Sequence, residues 1–377
     1  MTIQARRKEA LTHFTKTIAH PHLEDVLYKL ALNFLENKDD MREEYLNTLK
    51  RIFVATKDYS ERTNTEVGYI QFTLLRTNLI YGKLVYDVHI YDKRWYLEDY
   101  TDIGEIDMSY YFQPLEDAKQ HLYKESRKYV GKVDPPRVDN IISGYLEHFG
   151  YFFVKMFRYV LLEATECTEY AEIVKYKNFR ILAGELYDLP AVLHIEAKHR
   201  LSFDKLKEHI SDKTNCKYLD LKNSNFTAMD MSKADLQYSD FRGSTLQEAD
   251  FSKSSLEGCI FANCNLAQAN FSGAKLSEAN FQNANLQKAN LSATLSVEGI
   301  FKNESRDAYC RLPMNLNGTD LREAIIENAT LHKVDFSCAN VEGAIFTNTD
   351  LTGCKFAKEQ LLHIDLSDEQ RSEIITL

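Results

Sequence analysis

The chain has 377 residues, long enough for two or three domains. Its net charge of −10 and its 44% apolar, 27% charged composition are those of an ordinary globular protein. They exclude a general basic attraction to nucleic acid or anionic lipid.

The first segment carries Arg6, Arg7 and Lys8 with no apolar core behind them, so no signal peptide is expected. Three helices are expected next. Ala10, Leu11, Phe14 and Ile18 mark the first. Leu23, Val26, Leu27, Leu30 and Phe34 mark the second, and Tyr45, Leu46, Leu49, Ile52 and Phe53 the third. Leu84, Tyr86, Val88 and Ile90 alternate with Val85, Asp87, His89 and Tyr91, which predicts a strand that turns towards Trp95. After Pro135 and Pro136, apolar residues from Val138 to Leu161 recur at helical spacing and predict one long core helix. Its most apolar stretch, from Gly150, is interrupted by Lys155 and Arg158, so no membrane span is expected. Residues 1–205 hold nineteen of the 22 Tyr, the single Trp and five of the six Pro. They read as a mixed α+β, mainly helical, aromatic-rich N-terminal domain that ends near His199–Asn215.

Beyond it the period changes to five. From Leu221 to Leu291, every fifth residue is apolar, and the register resumes from Leu316 to Phe356. Chance would give these hits with odds of roughly 10⁻⁹ to 10⁻⁸, and neither a helix nor a strand asks for a period of five. Two residues before each centre the side chain is mostly small, as at Ala249, Ala269, Ala274 and Ala289. A chain that turns a corner every five residues meets both demands, with a large side chain filling each side and a small one near each corner.

This Ala-Asp/Asn-Leu/Phe pattern closely resembles the pentapeptide-repeat family over residues ~215–360. The resemblance implies a right-handed, four-sided parallel β-helix with about twenty residues per coil, stacked at ~4.8 Å. Centres twenty apart then form columns. Phe241, Phe261, Phe281 and, across an interruption, Phe301 fall on one side. Met231, Phe251, Phe271 and Leu291 fall opposite, with Leu246, Leu266, Leu286 and Leu236, Leu256, Leu276 between them. The expected domains are 1–205, a β-helix over 206–360 with a loop at 302–315, and a capping or dimerisation helix over 361–377. In the loop, Arg306 and Arg311 occupy centre frames where an unpaired charge cannot be buried. At the C-terminus, Ser367 and Gln370 have capping-box spacing, and Ile374 and Ile375 are expected on the apolar side of the helix.

Seven cysteines without a CxxC pair argue against a disulfide framework and for a reducing cytoplasm. Cys259, Cys264 and Cys354 sit at the small position and read as packed thiols. His20 and His22 have no known metal spacing. His194, Glu196 and His199 resemble HExxH only loosely, in the wrong order and five apart. Asp102, Glu105 and Asp107 read as a solvated turn. No nucleotide-binding or nucleophile motif is present, so no cofactor or metal is expected, and an enzyme activity in the N-terminal domain is only the second alternative to the binding functions.

Two binding functions remain. Some pentapeptide-repeat proteins protect topoisomerases by imitating duplex DNA, so the resemblance implies DNA gyrase or topoisomerase IV as a partner. Residues 215–377 have 22 acidic and 15 basic side chains, but residues 221–295 have seven and six, far below the charge density of a duplex. The acids that would point outward, Asp230, Asp235, Asp240 and Asp250, give way to asparagines from Asn265 onward. The expectation is therefore a cytoplasmic, non-catalytic protein-interaction module. Asp230, Asp235, Asp240, Asp250, Arg306 and Arg311 are its candidate contact residues, its partner is an unidentified protein, and a homodimer through the C-terminus is an option.

Overall fold

The structure is a computed structural model that describes residues 3–97, 99–186, 189–198, 201–211, 216–300 and 309–377. These fall into two compact units, the first holding the residues up to Lys198 together with Tyr309, and the second the rest.

The first unit opens with α1 (Ile3–Phe14), a π-turn (Thr15–Ala19) and α2 (His20–Thr63). The three short helices expected here are thus one nearly continuous run. Neither Gly nor Pro separates Phe34 from Tyr45, and the intervening residues are good helix formers. The π-turn precedes Pro21, which lacks an N–H, and the backbone N–H of His20 reaches back five residues to Thr15. Next come β1 (Val67–Leu74), α3 (Arg76–Ile80), β2 (Val85–Tyr91), β3 (Thr101–Asp107), α4 (Ser109–Ser126), α5 (Pro135–Ser143) and α6 (Leu146–Ala164). The single helix expected after Pro135 is broken at Gly144–Tyr145 into α5 and α6. Then follow α7 (Thr168–Ala171), β4 (Lys175–Glu185) and β5 (Ala191–Ala197).

The five strands form one sheet in the order β3-β2-β1-β4-β5, antiparallel except for the parallel pair β1–β4. The apolar stripe of α6 packs on it. Phe72 of β1 meets Phe153 and Phe157 edge-on, and Tyr86 of β2 stacks on Phe153 at 4.5 Å. Aromatic pairs in these geometries add about 0.5–1.5 kcal/mol each beyond burial. Gly68 is needed where it stands, because a Cβ there would lie 2.4 Å from the carbonyl oxygen of Asp92.

The second unit begins with α8 (Phe203–Ser211), whose buried Leu206 belongs to the core of the repeats. From Asp220 on, parallel bridges join residues twenty apart, in rows that start at Asp220, Asn225, Asp230 and Asp235. This is the right-handed β-helix, and its centres are buried. Phe241, Phe261 and Phe281 stack at 5.0 Å with nearly parallel rings, as do Phe251 and Phe271. Between the two columns the rings meet edge-to-face, as at 5.5 Å for Phe251 and Phe261. Leu246, Leu266 and Leu286 are fully buried beside them.

The column does not continue as the sequence period suggests. The bridge partner of Asn280 is Asn315, thirty-five residues on, so Leu316 holds the place above Phe281. Phe301 and Arg306 lie outside the described residues. β6 (Leu295–Val297) still belongs to the coil and pairs with β9 (Thr330–His332). Between them the chain leaves through β7 (Gly299–Ile300), which pairs antiparallel with the returning β8 (Cys310–Arg311).

The far end is closed by side chains. Gln370 Nε2 donates to the carbonyls of Phe346 and Thr349 at 2.7 and 2.9 Å, and Gln360 Nε2 donates to those of Phe336 and Ala339. Each amide replaces donors that a further coil would supply. Ser367 and Gln370 form the capping box of α9 (Asp368–Glu373). That helix is shorter than expected. Ile374 lies beyond it and packs on the core, while Ile375 enters β11 (Ile375–Thr376), parallel to β10 (Lys355–Phe356), and is half-exposed.

Phe261→Ala should lower stability by about 3–5 kcal/mol, and an unchanged denaturation midpoint would contradict the burial. Gln370→Ala should cost less, about 1–3 kcal/mol for carbonyls left unpaired. Hydrogen exchange should then quicken in residues 345–356 before the rest of the unit, and uniform protection across the coils would refute this account of the cap.

Candidate functional site

The outward residues of the second unit form the candidate surface, and their geometry follows from the corner. Most residues two after a centre have positive φ, among them Asn223, Lys253, Glu278 and Lys333, as well as Gly243, Gly258 and Gly353. That is the conformation of the third residue of a type II turn. Gly and Asn recur in this phase of the sequence, and that signal was available but unread.

The Asp or Asn before each centre stabilises the same corner. Its Oδ1 accepts the N–H two residues on, as in Ser232 to Asp230, Ser252 to Asp250, Ser272 to Asn270 and Gln287 to Asn285, all at 2.9–3.1 Å. These are Asx turns, and carboxylate and amide serve equally as acceptors. Hydrogen bonds from the Ser232 backbone and hydroxyl hold the Asp230 carboxyl below the usual carboxylate range.

The four candidate acids do not form one patch. Asp230 and Asp250 are bridge partners in one row, and Asn270 donates to Asp250 at 3.0 Å. Asp235 stands in another row and pairs with Lys217 at 3.1 Å. Asp240, expected to face outward, is only 5% exposed. Arg242 grips it through Nε and Nη2, and Lys222 lies 3.9 Å away. Arg311 is half-buried in β8 at the stem of the excursion. The sequence reading missed Ile325 and Ile345. They are bridge partners in the row of Asp230 and Asp250, and are 36% and 43% exposed where that row elsewhere carries Asp or Asn.

The small position does more than fill the corner. Cys259, Cys264 and Cys354 donate to the carbonyls of Leu236, Phe241 and Leu331, each twenty-three residues back, at 2.9–3.0 Å. Ser244 does the same to Leu221, and Thr319 reaches Phe281, thirty-eight residues back across the excursion. Burial pushes the Cys264 and Cys354 thiols up to about 12.

In the first unit the motif candidates separate. His194 and Glu196 lie on β5, and both reach the hydroxyl of Tyr170, while His199 lies outside the described residues. Gly104 N–H donates to Asp102, Lys83 pairs with Glu105, and Asp107 receives the N–H and hydroxyl of Ser109 at the start of α4. Among the described residues, no three His, Cys, Asp or Glu side chains are grouped to hold a metal ion. The sheet face opposite β1's apolar one carries a buried polar set instead. His89 bonds Thr73 at 3.0 Å and stacks on Tyr100 at 3.8 Å, and Gln71 receives the Trp95 indole N–H while donating to Tyr96. Burial holds the His89 imidazole below its usual pKa.

Compared with known families, residues 212–247, 224–263, 255–293 and 315–353 match the pentapeptide repeats, in eight copies. No curated protein matches the chain. Among solved structures, a trypsin-treated form of QnrB1, a plasmid-mediated fluoroquinolone resistance protein, is 19% identical over 41% of this chain and 78% of its own, with a TM-score of 0.28. HetL, involved in heterocyst differentiation regulation in the cyanobacterium Nostoc sp. strain PCC 7120, is 21% identical over 41% and 82%, with a TM-score of 0.21. A pentapeptide repeat protein of the Arabidopsis thaliana thylakoid lumen is 24% identical over 40% and 74%, with a TM-score of 0.13.

If the Asx acceptor matters more than its charge, the double variant Asp230→Asn, Asp250→Asn should melt close to the native protein. The corresponding double Ala variant should lose about 1 kcal/mol per removed hydrogen bond. Equal losses in both, read from denaturant unfolding, would show that charge rather than the turn is what these residues supply.

Proposed function

We propose, for a chain whose C-terminal region belongs to the pentapeptide-repeat family, that it is a non-catalytic protein-interaction module of the cytoplasm. In this reading the β-helix is four-sided, each row of bridges is one side, and the rod is a rigid scaffold joined to the aromatic-rich first unit. The proposed division keeps the repeats to 360 and a terminal segment over 361–377, with the N-terminal unit ending at Lys198 rather than near residue 205. The Gln360 and Gln370 amides favour a plug over a dimer contact for that last segment. Seven free cysteines fit a reducing compartment. No described helix is long and apolar enough to cross a membrane.

The observation that carries the reading is the row running from Asp230 and Asp250 to Ile325 and Ile345. A row that carries carboxylates, then asparagines, then exposed isoleucines before it ends at Asp365 suits a protein partner, whose interface mixes both characters. A DNA mimic would need acids along the whole row. Instead the row turns to asparagine and then isoleucine, and Asp240 is already gripped by Arg242. Gyrase or topoisomerase IV remains the alternative partner, favoured by the acidic start of the row alone.

The test uses Ile325→Lys with Ile345→Lys. Lysine is tolerated at this position of the repeat, since Lys275 and Lys355 hold it in other coils. Affinity capture from the native host should recover a protein with the wild type and lose it with the variant. Identical recoveries would remove this surface from the reading. Gyrase supercoiling assays with the wild type and the Asp230→Asn, Asp250→Asn variant test the alternative, which falls if the wild type leaves supercoiling unchanged.

A further inference from the structure

An open groove of about 540 Å³ lies between α2 and α4 of the first unit, a volume within the range of small-molecule sites. Its floor is Val26 and Leu30 from α2 and Pro114 and Ala118 from α4. These α4 residues are small, and the gap lies beside them. At one end the rings of His22 and His121 lie against each other, tilted by 38° with centroids 4.3 Å apart. Asn33 and Tyr110 line the groove eleven residues along each helix, so the two helices run antiparallel and the cleft is about 16 Å long.

The polar groups at its rim are not equivalent. Lys29 pairs with Asp25 at 2.7 Å, and Asp117 accepts from Gln113 at 2.8 Å. Neither imidazole makes a hydrogen bond to a described residue, although each ring carries an N–H. Two donors held side by side at the end of an apolar trough match an acid group on an apolar body. We propose that this cleft binds a small organic monoanion, a carboxylate on an apolar chain or ring, with His22 and His121 holding the acid group and Leu30, Pro114 and Ala118 covering the body.

Burial and the neighbouring His121 hold the His22 imidazole below its usual pKa. Asp25 opposes this shift and Lys29 supports it. Asp117 lines the cleft from α4, and Glu125 lies within electrostatic reach of His121. A bound anion favours the protonated imidazole, so affinity should rise as pH falls from 8 to 6.

Titration calorimetry of the full chain with 1-naphthoate and octanoate tests the site and separates a planar body from a chain. 1-Naphthylmethanol is the neutral control. One saturable site is expected for at least one acid. Affinity should fall tenfold or more in His22→Ala, His121→Ala and in Ala118→Leu, which fills the trough, and also in the milder His121→Gln if Ala118→Leu does not fold. Failure of both acids to bind the wild type, equal binding of the alcohol, or unchanged affinity in folded variants would each overturn the proposal.

Discussion

The second unit depends on finding hydrogen-bond partners for a backbone that turns a corner every five residues. Straight segments bond to the coils above and below, as Phe261 N–H does to the Asn280 carbonyl at 2.7 Å. Corners break that regularity, and buried N–H and C=O groups without partners are costly. Two side-chain devices absorb the break. The Asx acceptor takes the N–H at the outside of the turn, and at Ser244, Cys259, Cys264, Thr319 and Cys354 the side chain of the small position takes a carbonyl of the coil below, while Ser254 and Thr294 bond within their own coil. Alanine at that position fills space alone.

The same constraint explains why the outer acids are poor guides to function. Read as charges, Asp230, Asp235, Asp240 and Asp250 suggest an acidic flank. Read as turn acceptors, Asp230, Asp240 and Asp250 are interchangeable with Asn265, Asn270 and Asn285, and their positions are fixed by the corner. Ile325 and Ile345 carry more information because nothing in the fold calls for them. An isoleucine cannot cap an Asx turn, and at that position it leaves apolar surface in water.

The columns of Phe and Leu were legible in the sequence because a period of five with buried centres has few solutions. The ends and the first unit were less so. Gln360 and Gln370 are unremarkable as letters, and their role exists only once the last coil presents open carbonyls. The merging of α2 was hidden because a polar stretch between two apolar stripes reads as a loop, although Glu, Lys, Met and Arg propagate a helix well. The strand around His89 was legible as a strand, but not that both of its faces are buried. That depends on Trp95, Tyr96 and Tyr100 folding back over Gln71 and His89, which no local pattern encodes.

The excursion after Val297 shows where period fails as evidence. Asn315 takes the bridge position that residue 300 would hold in an unbroken coil, so fifteen residues are inserted, a multiple of five. Phase alone therefore places Phe301 above Phe281 as convincingly as it places Phe261 below it. A chain that leaves through a paired stem is free to return after any length, so preserved phase says nothing about whether it stayed. The small position discriminates better. Two residues before the centre frames at 306 and 311 stand Glu304 and Tyr309, neither of them among the Ala, Ser, Cys and Thr that hold most of these positions, although the coils also take Met229, Met314 and Val334 there. In a solenoid of this kind the large residue sets the rhythm, and the small one reports whether the chain is still in the coil.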